Sequence, residues 1–290
     1  MSASILAPRD YYNLDPVGAK RDLTGAGTLA YITQDQLHPP MVDDEEIWQD
    51  GRRWHEGSIM HTLDAAALCE FHPGQTVLDI GGGVGGPARL LVDYFDVDVV
   101  CTSISEEQLK TCQRINASKP AWKYHIKTMT HDCQKPFIRT NFNCVWSMNM
   151  LYHIESKLDM LQNARRSLDK GGRLMIDDWM LTPRATQYDR KVLGHHFISS
   201  HFAVREDILS LIASSGFRIS HFQELGHIGR THLAHHFTEQ FDKHFRKMII
   251  ESNPEYGPSI AEHFCDAITA TIDLYLQEKL TYCRILAIKE

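Results

Sequence analysis

A glycine-rich turn between a short apolar run and a helical stretch is the feature that most constrains the fold of this chain. Residues 77–86 read VLDIGGGVGG, and GPARLLVDYF at 86–95 continues with helical periodicity. Glycine permits a sharp turn and a close approach of the backbone to a ligand, because it has no Cβ. A strand, a glycine-rich turn and a helix in this order predict a nucleotide-type ligand site. The alternative is a turn that serves packing alone.

Strand-like and helical runs alternate through the middle of the chain. The strand-like runs are 76–81, 97–104, 122–130, 142–148, 173–181 and 217–225, and the helical runs are 58–71, 86–95, 105–117, 157–168 and 205–216. Ser105 and Gln108 have the spacing of a capping box at the start of one helix. The alternation predicts an α/β fold with a Rossmann-like, doubly wound, mostly parallel sheet. The alternating run at 281–290 predicts an antiparallel C-terminal edge strand.

Two stretches, 182–204 and 226–278, interrupt this rhythm, and the second is largely helical in period. Insertions between late strands of an open α/β sheet lie above the carboxyl ends of the strands, where ligands bind. We therefore predict that they form a helical cap on a Rossmann-like core domain at 61–290. Residues 1–60 are predicted to form an N-terminal segment that covers the active site and is long enough to reach a neighbouring subunit, so a homo-oligomer is possible.

Composition excludes several classes of function. The 30 Lys and Arg against 37 Asp and Glu give a net charge of -7, which argues against a nucleic-acid partner. No apolar run reaches the ~20 residues of a membrane span. Seven cysteines without a C-x-x-C pair suit a reducing compartment, and we expect a cytoplasmic location.

The residues around the glycine turn discriminate between cofactors. A nicotinamide dinucleotide site usually has an acid at the end of the second strand, where this chain has Cys101, Thr102 and Ser103. Asp79 instead lies just before the turn, where a carboxylate suits a positively charged cofactor. S-adenosyl-L-methionine carries an ammonium and a sulfonium. These residues therefore favour it over a pyrophosphate cofactor.

Five segments in order resemble the motifs of class I S-adenosylmethionine-dependent methyltransferases. They are VLDIGGGVGGPARLL, CTSISEEQLKTCQ, HDCQKPF, FNCVWSMNMLYHI and LDKGGRLMIDDWMLTP. The chain is most similar to the small-molecule subgroup that methylates sterols, tocopherols and prenyl diphosphates. The resemblance implies that the cofactor contacts Asp79, Gly81, Gly83, Gly85, Thr102, Ser103, Asp132, Cys133 and Asn149. For Asp132 the alternative is a turn cap.

The resemblance also locates the reaction centre. Related C-methyltransferases commonly have a glutamate where this chain has Asn149. His153 and Tyr152 are then the candidate catalytic residues, with His153 acting either as a general base or as a hydrogen-bond partner of nearby backbone. The missing acid mildly favours N- or O-methylation of a small organic acceptor, in specialised metabolism. Carbon methylation of a prenyl or indole-type acceptor is the alternative, and a cyclase or scaffold without methyl transfer is a third reading.

Histidine is abundant in the predicted cap. Nine of the 17 histidines lie within residues 182–244. His232 has metal-ligand spacing with His235 or His236, but no carboxylate or cysteine is interleaved, so we expect no metal. We expect the cap histidines mostly to line the acceptor pocket. The residues predicted to bind the acceptor are Tyr12, Trp179, His196, Phe197 and His201, and the N-terminal aromatics, Trp48 and Trp54 among them, are predicted to fold over the cofactor.

Overall fold

The computed structural model describes residues 40–290, apart from 198, 200 and 253–256. The helices are α1 Glu45–Gln49, α2 Trp54–Leu68, α3 Gly86–Phe95, α4 Glu106–Asn116, α5 Pro120–His125, α6 Lys157–Ser167, α7 Gln187–Phe197, α8 Arg205–Ser214, α9 Gly226–Ile228, α10 Ala234–Gln240, α11 Arg246–Ser252 and α12 Gly257–Leu276. The strands are β1 Thr76–Asp79, β2 Asp98–Ser103, β3 Ile126–Thr130, β4 Phe142–Met148, β5 Leu168–Leu181, β6 Phe217–Glu224 and β7 Leu280–Lys289. Two 3₁₀ turns (Gly51–Arg53 and Leu151–His153) and two π-helical turns (Gly229–Leu233 and Phe241–Phe245) connect them.

The seven strands form one sheet in the order β3-β2-β1-β4-β5-β7-β6. Strands β1 to β5 pair in parallel, and β7 pairs antiparallel with both β5 and β6. The predicted mixed, mostly parallel α/β sheet is confirmed, and the C-terminal strand supplies its antiparallel member. Its position differs from the expected edge, because β7 lies between β5 and β6. The alternation of polar and apolar residues in this strand suggested an edge position, but the polar Arg284 is buried among the apolar residues.

Two element boundaries differ from the sequence expectation. The run 122–130 is not one strand, because Pro120 opens α5 and β3 begins only at Ile126. Proline is favoured in the first helical turn, where its missing N–H needs no partner. The helical run predicted over 157–168 ends at Ser167, and the glycine pair Gly171 and Gly172 follows after three further residues. Both glycines lie within β5, where Gly171 has a positive φ of 73°.

The region predicted as a cap is built from helices that pack on the described part of the N-terminal segment. The backbone from 226 to 252 is helical throughout, with the two π-helical turns inserted. Trp54 packs against Phe237 and Phe245, with ring centroids 6.2 and 5.1 Å apart, and Trp48 stacks on His232. Trp48 and Trp54 therefore contribute to the core beneath the cap. Within the described residues, no helix is both long and apolar enough to span a bilayer.

Candidate cofactor and acceptor site

Parallel pairing brings the ends of β1, β2, β3 and β4 to one edge of the sheet. Asp79 pairs with Cys101 on one side and Trp146 on the other, and the amide of His131 donates to Ser103 O at 3.0 Å. The residues that follow these strands carry most of the sequence-predicted cofactor contacts. We call this group the cofactor edge: Asp79, Gly81, Gly83, Gly85, Thr102, Ser103, Asp132 and Asn149.

The glycine turn adopts backbone angles that other residues rarely take. Gly81, Gly83 and Gly85 have φ of 72°, 56° and 82°. A Cβ on Gly81 would lie 2.2 Å from Cγ of Met150, so the turn needs glycine there to let the loop after β4 approach. A Cβ on Gly83 would meet nothing nearer than the Gln108 amide at 3.6 Å. The turn thus presents bare backbone on the side of Gly83.

Asp79 is a buried carboxylate without a cation of its own. Its side chain is 2% exposed, and its Oδ2 has no hydrogen-bond partner. Burial raises the pKa of Asp79 to about 7, against the lowering effect of a hydrogen bond with Cys101. An unpaired buried carboxylate is costly unless a ligand supplies positive charge. The site therefore fits a ligand with a cationic group, such as the ammonium of S-adenosylmethionine.

The hydroxyl groups at the end of β2 are already engaged in bonds within the protein. Thr102 Oγ1 donates to the carbonyl of Asp79 at 3.0 Å. Ser103 Oγ donates to Gln108 Oε1 at 2.8 Å and accepts from the amide of Ser105 at 3.0 Å. Gln108 is thereby held beside Gly83. Sequence reasoning treated Gln108 only as a capping residue, although its position three residues after the Ser105 N-cap places it at this edge.

The loop after β3 carries two further predicted contacts. Asp132 Oδ1 accepts from the amide of Gln134 at 3.0 Å, which is the turn-capping geometry. Cys133 is 6% exposed and packs in the core, and burial raises the pKa of its thiol to about 12. Its carbonyl accepts from Asn163 Nδ2 at 3.1 Å. Cys133 thus has its thiol in the core, whereas Asp132 is only half-buried.

Asn149 occupies a strained position at the end of β4. Its φ is 48°, in the left-handed region, and neither its Oδ1 nor its Nδ2 has a hydrogen-bond partner, although both atoms are buried. Strained backbone and unsatisfied polar atoms of this kind cluster at ligand sites. The amide is thus available to a ligand at the cofactor edge.

Asp178 holds the loop that carries Asn149. Its Oδ2 accepts from the amides of Met150 and Leu151, both at 2.7 Å, and its Oδ1 accepts from the amide of Trp179 at 2.7 Å. Burial nonetheless raises the pKa of Asp178 to about 7. This positioning role was not predicted, because the partners are backbone groups almost 30 residues away in the sequence.

His153 and Tyr152 follow in the 3₁₀ turn after Asn149. Burial, assisted by nearby His201 and Lys157, lowers the pKa of His153 to about 3. Its imidazole is therefore neutral at physiological pH, and its low basicity makes it a poor general base. Tyr152 is 7% exposed, and its carbonyl accepts from the hydroxyl of Ser199. The turn is thus tied to the chain that leaves α7.

Four aromatic rings lie together beside this turn, and we call them the aromatic cluster: Tyr152, Trp179, Phe197 and Phe202. Tyr152 stacks on Phe202 at 5.0 Å, and Trp179 meets Phe197 edge-on at 4.9 Å. The fold brings the predicted Tyr152, Trp179 and Phe197 together. Phe202 was missed, although it lies only five residues after Phe197 in the same stretch.

The other residues predicted to bind the acceptor include His201 and His196, which are not part of the aromatic cluster. His201 is close enough to His153 to lower its pKa, and its carbonyl accepts from Lys157 Nζ at 2.6 Å. His196 instead lies beside His195 and His263, at ring distances of 5.2 and 5.5 Å. Burial and these two neighbours lower the pKa of His196. Tyr12 is outside the described residues.

A buried charged network lies beneath the aromatic cluster, between α2, β5 and β7. Arg284 Nε donates to Asp177 Oδ2 at 2.6 Å, and His61 Nε2 lies 2.9 Å from Asp177 Oδ1. Arg284 Nη2 donates to His61 Nδ1 at 3.0 Å, so Nδ1 is the acceptor and Nε2 carries the proton. Burial alone would raise the pKa of Asp177, but His61 and Arg284 hold it below its usual range. Asp177 Oδ1 makes this close contact with His61 without a hydrogen bond of good geometry, whereas Oδ2 is bonded to Arg284, and together the contacts fix β7 against β5 and α2.

Comparison with known proteins places this site in a family. Residues 78–176, about a third of the chain, match the family model described as a methyltransferase domain. A sterol 24-C-methyltransferase of Gibberella zeae is 29% identical over 181 residues, which are 59% of this chain and 45% of that protein. The chain spans about half the length of these curated relatives that it matches.

Solved structures of similar fold carry different activities. The phosphoethanolamine N-methyltransferase 2 of Haemonchus contortus, in complex with S-adenosyl-L-methionine, has a TM-score of 0.76 at 17% identity, over 99% of this chain and 60% of that one. The [4+2]-cyclase SpnF has a TM-score of 0.73 at 17% identity, over 97% of this chain and 94% of that one. At such identities the likeness shows the fold alone. Residues 78–176 therefore form a methyltransferase domain, the chain resembles the small-molecule subgroup of the class I S-adenosylmethionine-dependent methyltransferases, and S-adenosyl-L-methionine is the cofactor that the domain match supports.

Proposed function

We propose that this protein transfers a methyl group from S-adenosylmethionine to the nitrogen or oxygen of a small organic acceptor in specialised metabolism. The observation that carries the proposal is the unpartnered carboxylate oxygen of Asp79 beside the glycine turn, within the family-matched region. S-adenosylmethionine supplies an electrophilic methyl carbon when bound. The protein's own contribution is then to bind, orient and exclude water.

The cofactor edge supports specific roles in holding that cofactor. The carboxylate of Asp79 would take the ammonium group, which neutralises a charge that is otherwise buried alone. The backbone beside Gly83 and the amide of Gln108 would lie along the ribose, and the half-buried Asp132 beside the adenine. The unsatisfied amide of Asn149 would donate and accept hydrogen bonds near the methionine portion.

Among the described residues, neither His153 nor Asp178 is an efficient base, which supports methylation of an acceptor that is already nucleophilic, either a neutral amine or an ionised hydroxyl. His153 has a pKa of about 3 and is too weakly basic to take a proton efficiently at neutral pH. Both oxygens of Asp178 are engaged by backbone amides. A neutral amine is already nucleophilic and needs mainly alignment with the methyl group. His153 and Tyr152 are then positioning groups that shape the acceptor side.

Carbon methylation of a prenyl acceptor is the second candidate, and the aromatic cluster favours it. The faces of Tyr152, Trp179 and neighbouring rings would stabilise a carbocation by about 0.5–2 kcal/mol each. Such a reaction still needs a group to remove the final proton. A cyclase without methyl transfer is the third candidate, and the fold of the [4+2]-cyclase is the only support for it.

Methyl transfer from labelled S-adenosylmethionine separates these candidates. The purified full chain is incubated with primary and secondary amines, phenols and prenyl diphosphates, and products are analysed by mass spectrometry. We expect labelled product with a nitrogen or oxygen acceptor, and none with Asp79→Asn. Label in a prenyl product would establish carbon methylation instead. Failure to bind S-adenosylhomocysteine and to label any acceptor would overturn the proposal.

We also propose a cytoplasmic location and a small-molecule acceptor rather than a nucleic acid. All seven cysteines are free thiols, six of them buried, which supports a reducing compartment. The net charge of -7 supports the absence of a nucleic-acid partner. A homo-oligomer stays a prediction that sedimentation analysis would test.

A further inference from the structure

Two histidines of the cap and two acids of the N-terminal segment meet at a point remote in sequence. His232 lies in the first π-helical turn and His236 one turn later, in α10. The carboxylate of Glu45, in α1, lies 2.9 Å from His232 Nδ1 and 3.0 Å from His236 Nε2. Asp43 lies on the other side of His232, with Oδ1 2.8 Å from Nε2. A histidine pair and a carboxylate thus converge within 4.8 Å of one another.

The bond to Asp43 assigns the protonated nitrogen of His232. Nε2 bonds to Asp43, so this nitrogen carries the hydrogen and Nδ1 presents a lone pair. That lone pair faces a Glu45 oxygen at 2.9 Å, yet the geometry makes no hydrogen bond, and Nδ1 is buried without a hydrogen-bond partner. Two lone pairs at this distance repel each other, and either a second proton on Nδ1 or a metal ion bound by both atoms relieves that repulsion.

The surroundings hold His232 and Glu45 in place. His232 is 8% exposed, and its ring is stacked on Trp48, with an interplanar angle of 7° and centroids 6.0 Å apart. Trp48 is itself fixed by its Nε1–H donating to the carbonyl of Val42 at 2.9 Å. Asp44 caps α1 by accepting from the amides of Glu46 and Ile47. These contacts fix the ring of His232 and the backbone that carries Glu45.

We propose that Glu45, His232 and His236 bind a divalent transition metal of the zinc class, which clasps α1 to the cap. Two imidazoles and a carboxylate are a known zinc ligand set, with water in the fourth position. Asp43 would orient His232 through Nε2–H, as carboxylates commonly do behind metal-bound histidines. Zinc bonds of about 2.0–2.2 Å place ligand atoms roughly 3.3 Å apart, so an opening of a few tenths of an ångström admits the ion. A metal at Nε2 of His236 displaces the hydrogen that this nitrogen donates to Glu45, and that hydrogen moves to Nδ1 of the same ring.

Metal binding is measured on the untagged full chain, with Zn²⁺ for stoichiometry and melting temperature and Co²⁺ for visible absorption. We expect one ion per chain, a rise in Tm reversed by chelator, and the intense absorption of four-coordinate Co²⁺. His236→Ala and Glu45→Gln should each abolish the absorption. Asp43→Asn should weaken binding about 10- to 100-fold without removing a ligand.

His235→Ala is the matched control, because His235 is exposed, adjacent in sequence and outside the cluster. It should bind Co²⁺ as the unmodified chain does. Equal binding by His236→Ala and the unmodified chain would overturn the proposal, as would a Tm that depends on pH but not on Zn²⁺, which would indicate protonated histidines alone. None of these measurements depends on methyl transfer, so a failure of the proposed metal site can be distinguished from a failure of the proposed function.

Discussion

Asp79 and Asp177 are both fully buried, but they lie in regions with opposite electrostatics. Asp79, at the cofactor edge, has an oxygen without a partner and a pKa raised to about 7. Asp177, in the network beneath the aromatic cluster, is paired with Arg284 and His61, and its pKa is lowered. Burial acts on both in the same direction, so the difference comes from the neighbouring charges and hydrogen bonds.

This contrast separates a structural carboxylate from a ligand-binding one. A buried ion pair that is satisfied within the protein fixes elements to one another, and breaking it is costly. A buried carboxylate left alone destabilises the protein until a cationic ligand arrives. Changes in the two regions should therefore affect different measurements: stability for the network and cofactor binding for the edge.

Breaking the network should produce the largest effect. Arg284→Met leaves the buried carboxylate of Asp177 without its guanidinium partner, and we expect the free energy of unfolding to fall by about 3–5 kcal/mol. Chemical denaturation measures it. Arg218→Met, on an exposed residue of neighbouring β6, is the matched control and should change stability by less than about 0.5 kcal/mol. A loss as small as that of the control would show that the network is not structural.

Removing the carboxylate charge of Asp79 should weaken cofactor binding without lowering the stability of the protein. Asp79→Asn should weaken S-adenosylhomocysteine binding about 30- to 1,000-fold, or about 2–4 kcal/mol, because the ligand ammonium loses a buried partner. The ligand-free protein should be no less stable, because a costly buried charge is gone. Calorimetric titration and thermal unfolding test both halves. Exposed Asp64→Asn is the control, and unchanged affinity in Asp79→Asn would contradict the assignment.

The raised pKa of Asp79 predicts how cofactor binding depends on pH. Below pH 7 the carboxyl is protonated, so binding an ammonium must first release that proton, and affinity should fall by up to about tenfold per pH unit. In the ligand-free protein the sign is reversed, because a raised pKa stabilises the fold at low pH and this stability is lost between about pH 4 and 7. Calorimetric titrations with S-adenosylhomocysteine at pH 6 and 8, with Asp79→Asn as the reference, isolate the part of the pH dependence that comes from Asp79. Equal slopes in both proteins would exclude Asp79 as the source.

The aromatic cluster should act on the acceptor alone. Trp179→Leu removes the ring that meets Phe197 and Tyr152, and we expect the acceptor KM to rise about 5- to 10-fold. Cofactor affinity should change by less than about twofold. Trp122→Leu, on α5 away from the cluster, provides a matched loss of indole. A selective loss of cofactor affinity in Trp179→Leu would show that the ring contacts the cofactor and not the acceptor.

His153 should show the smallest effect. With a pKa of about 3 it serves as a neutral hydrogen-bonding group, so His153→Gln should lower kcat less than about fivefold. Steady-state kinetics with the acceptor found by product analysis measure it. A drop of about 100-fold or more, with loss of the acidic limb of the pH profile, would restore the general-base role and favour carbon methylation.

Much of the fold and of the cofactor edge could be predicted from the sequence, because both depend on local chemistry. The glycines at 81, 83 and 85 are needed by backbone angles within their own turn, and Ser105 caps α4 through the amide of Gln108 three residues away. The order of strands and helices follows from hydrophobic periodicity in the same way. The predicted element boundaries were wrong where a single residue had a stronger effect than the hydrophobic periodicity, as Pro120 has at the start of α5.

The acceptor side was predicted only in part, because long-range contacts build it. Trp179 and Phe197 come from different elements, and Phe202 joins them through ring contacts that no local pattern marks. Asp178 positions Asn149 through backbone amides, which have no sequence signature. The position of β7 inside the sheet also depends on a long-range contact. Arg284 is a polar residue, and it is buried there because Asp177 faces it.

The sequence by itself determined a parallel α/β sheet, a glycine turn and a carboxylate that fits a cationic cofactor, because each depends on residues a few positions apart. Tertiary structure decided which buried charges have partners. It paired Arg284 with Asp177 and His61, left Asp79 alone, and carried Glu45 to His232 and His236 across almost 190 residues. The sequence argued against metal because no carboxylate lay near those histidines, and folding supplied one. Sequence separation says little about distance once burial has brought the elements together.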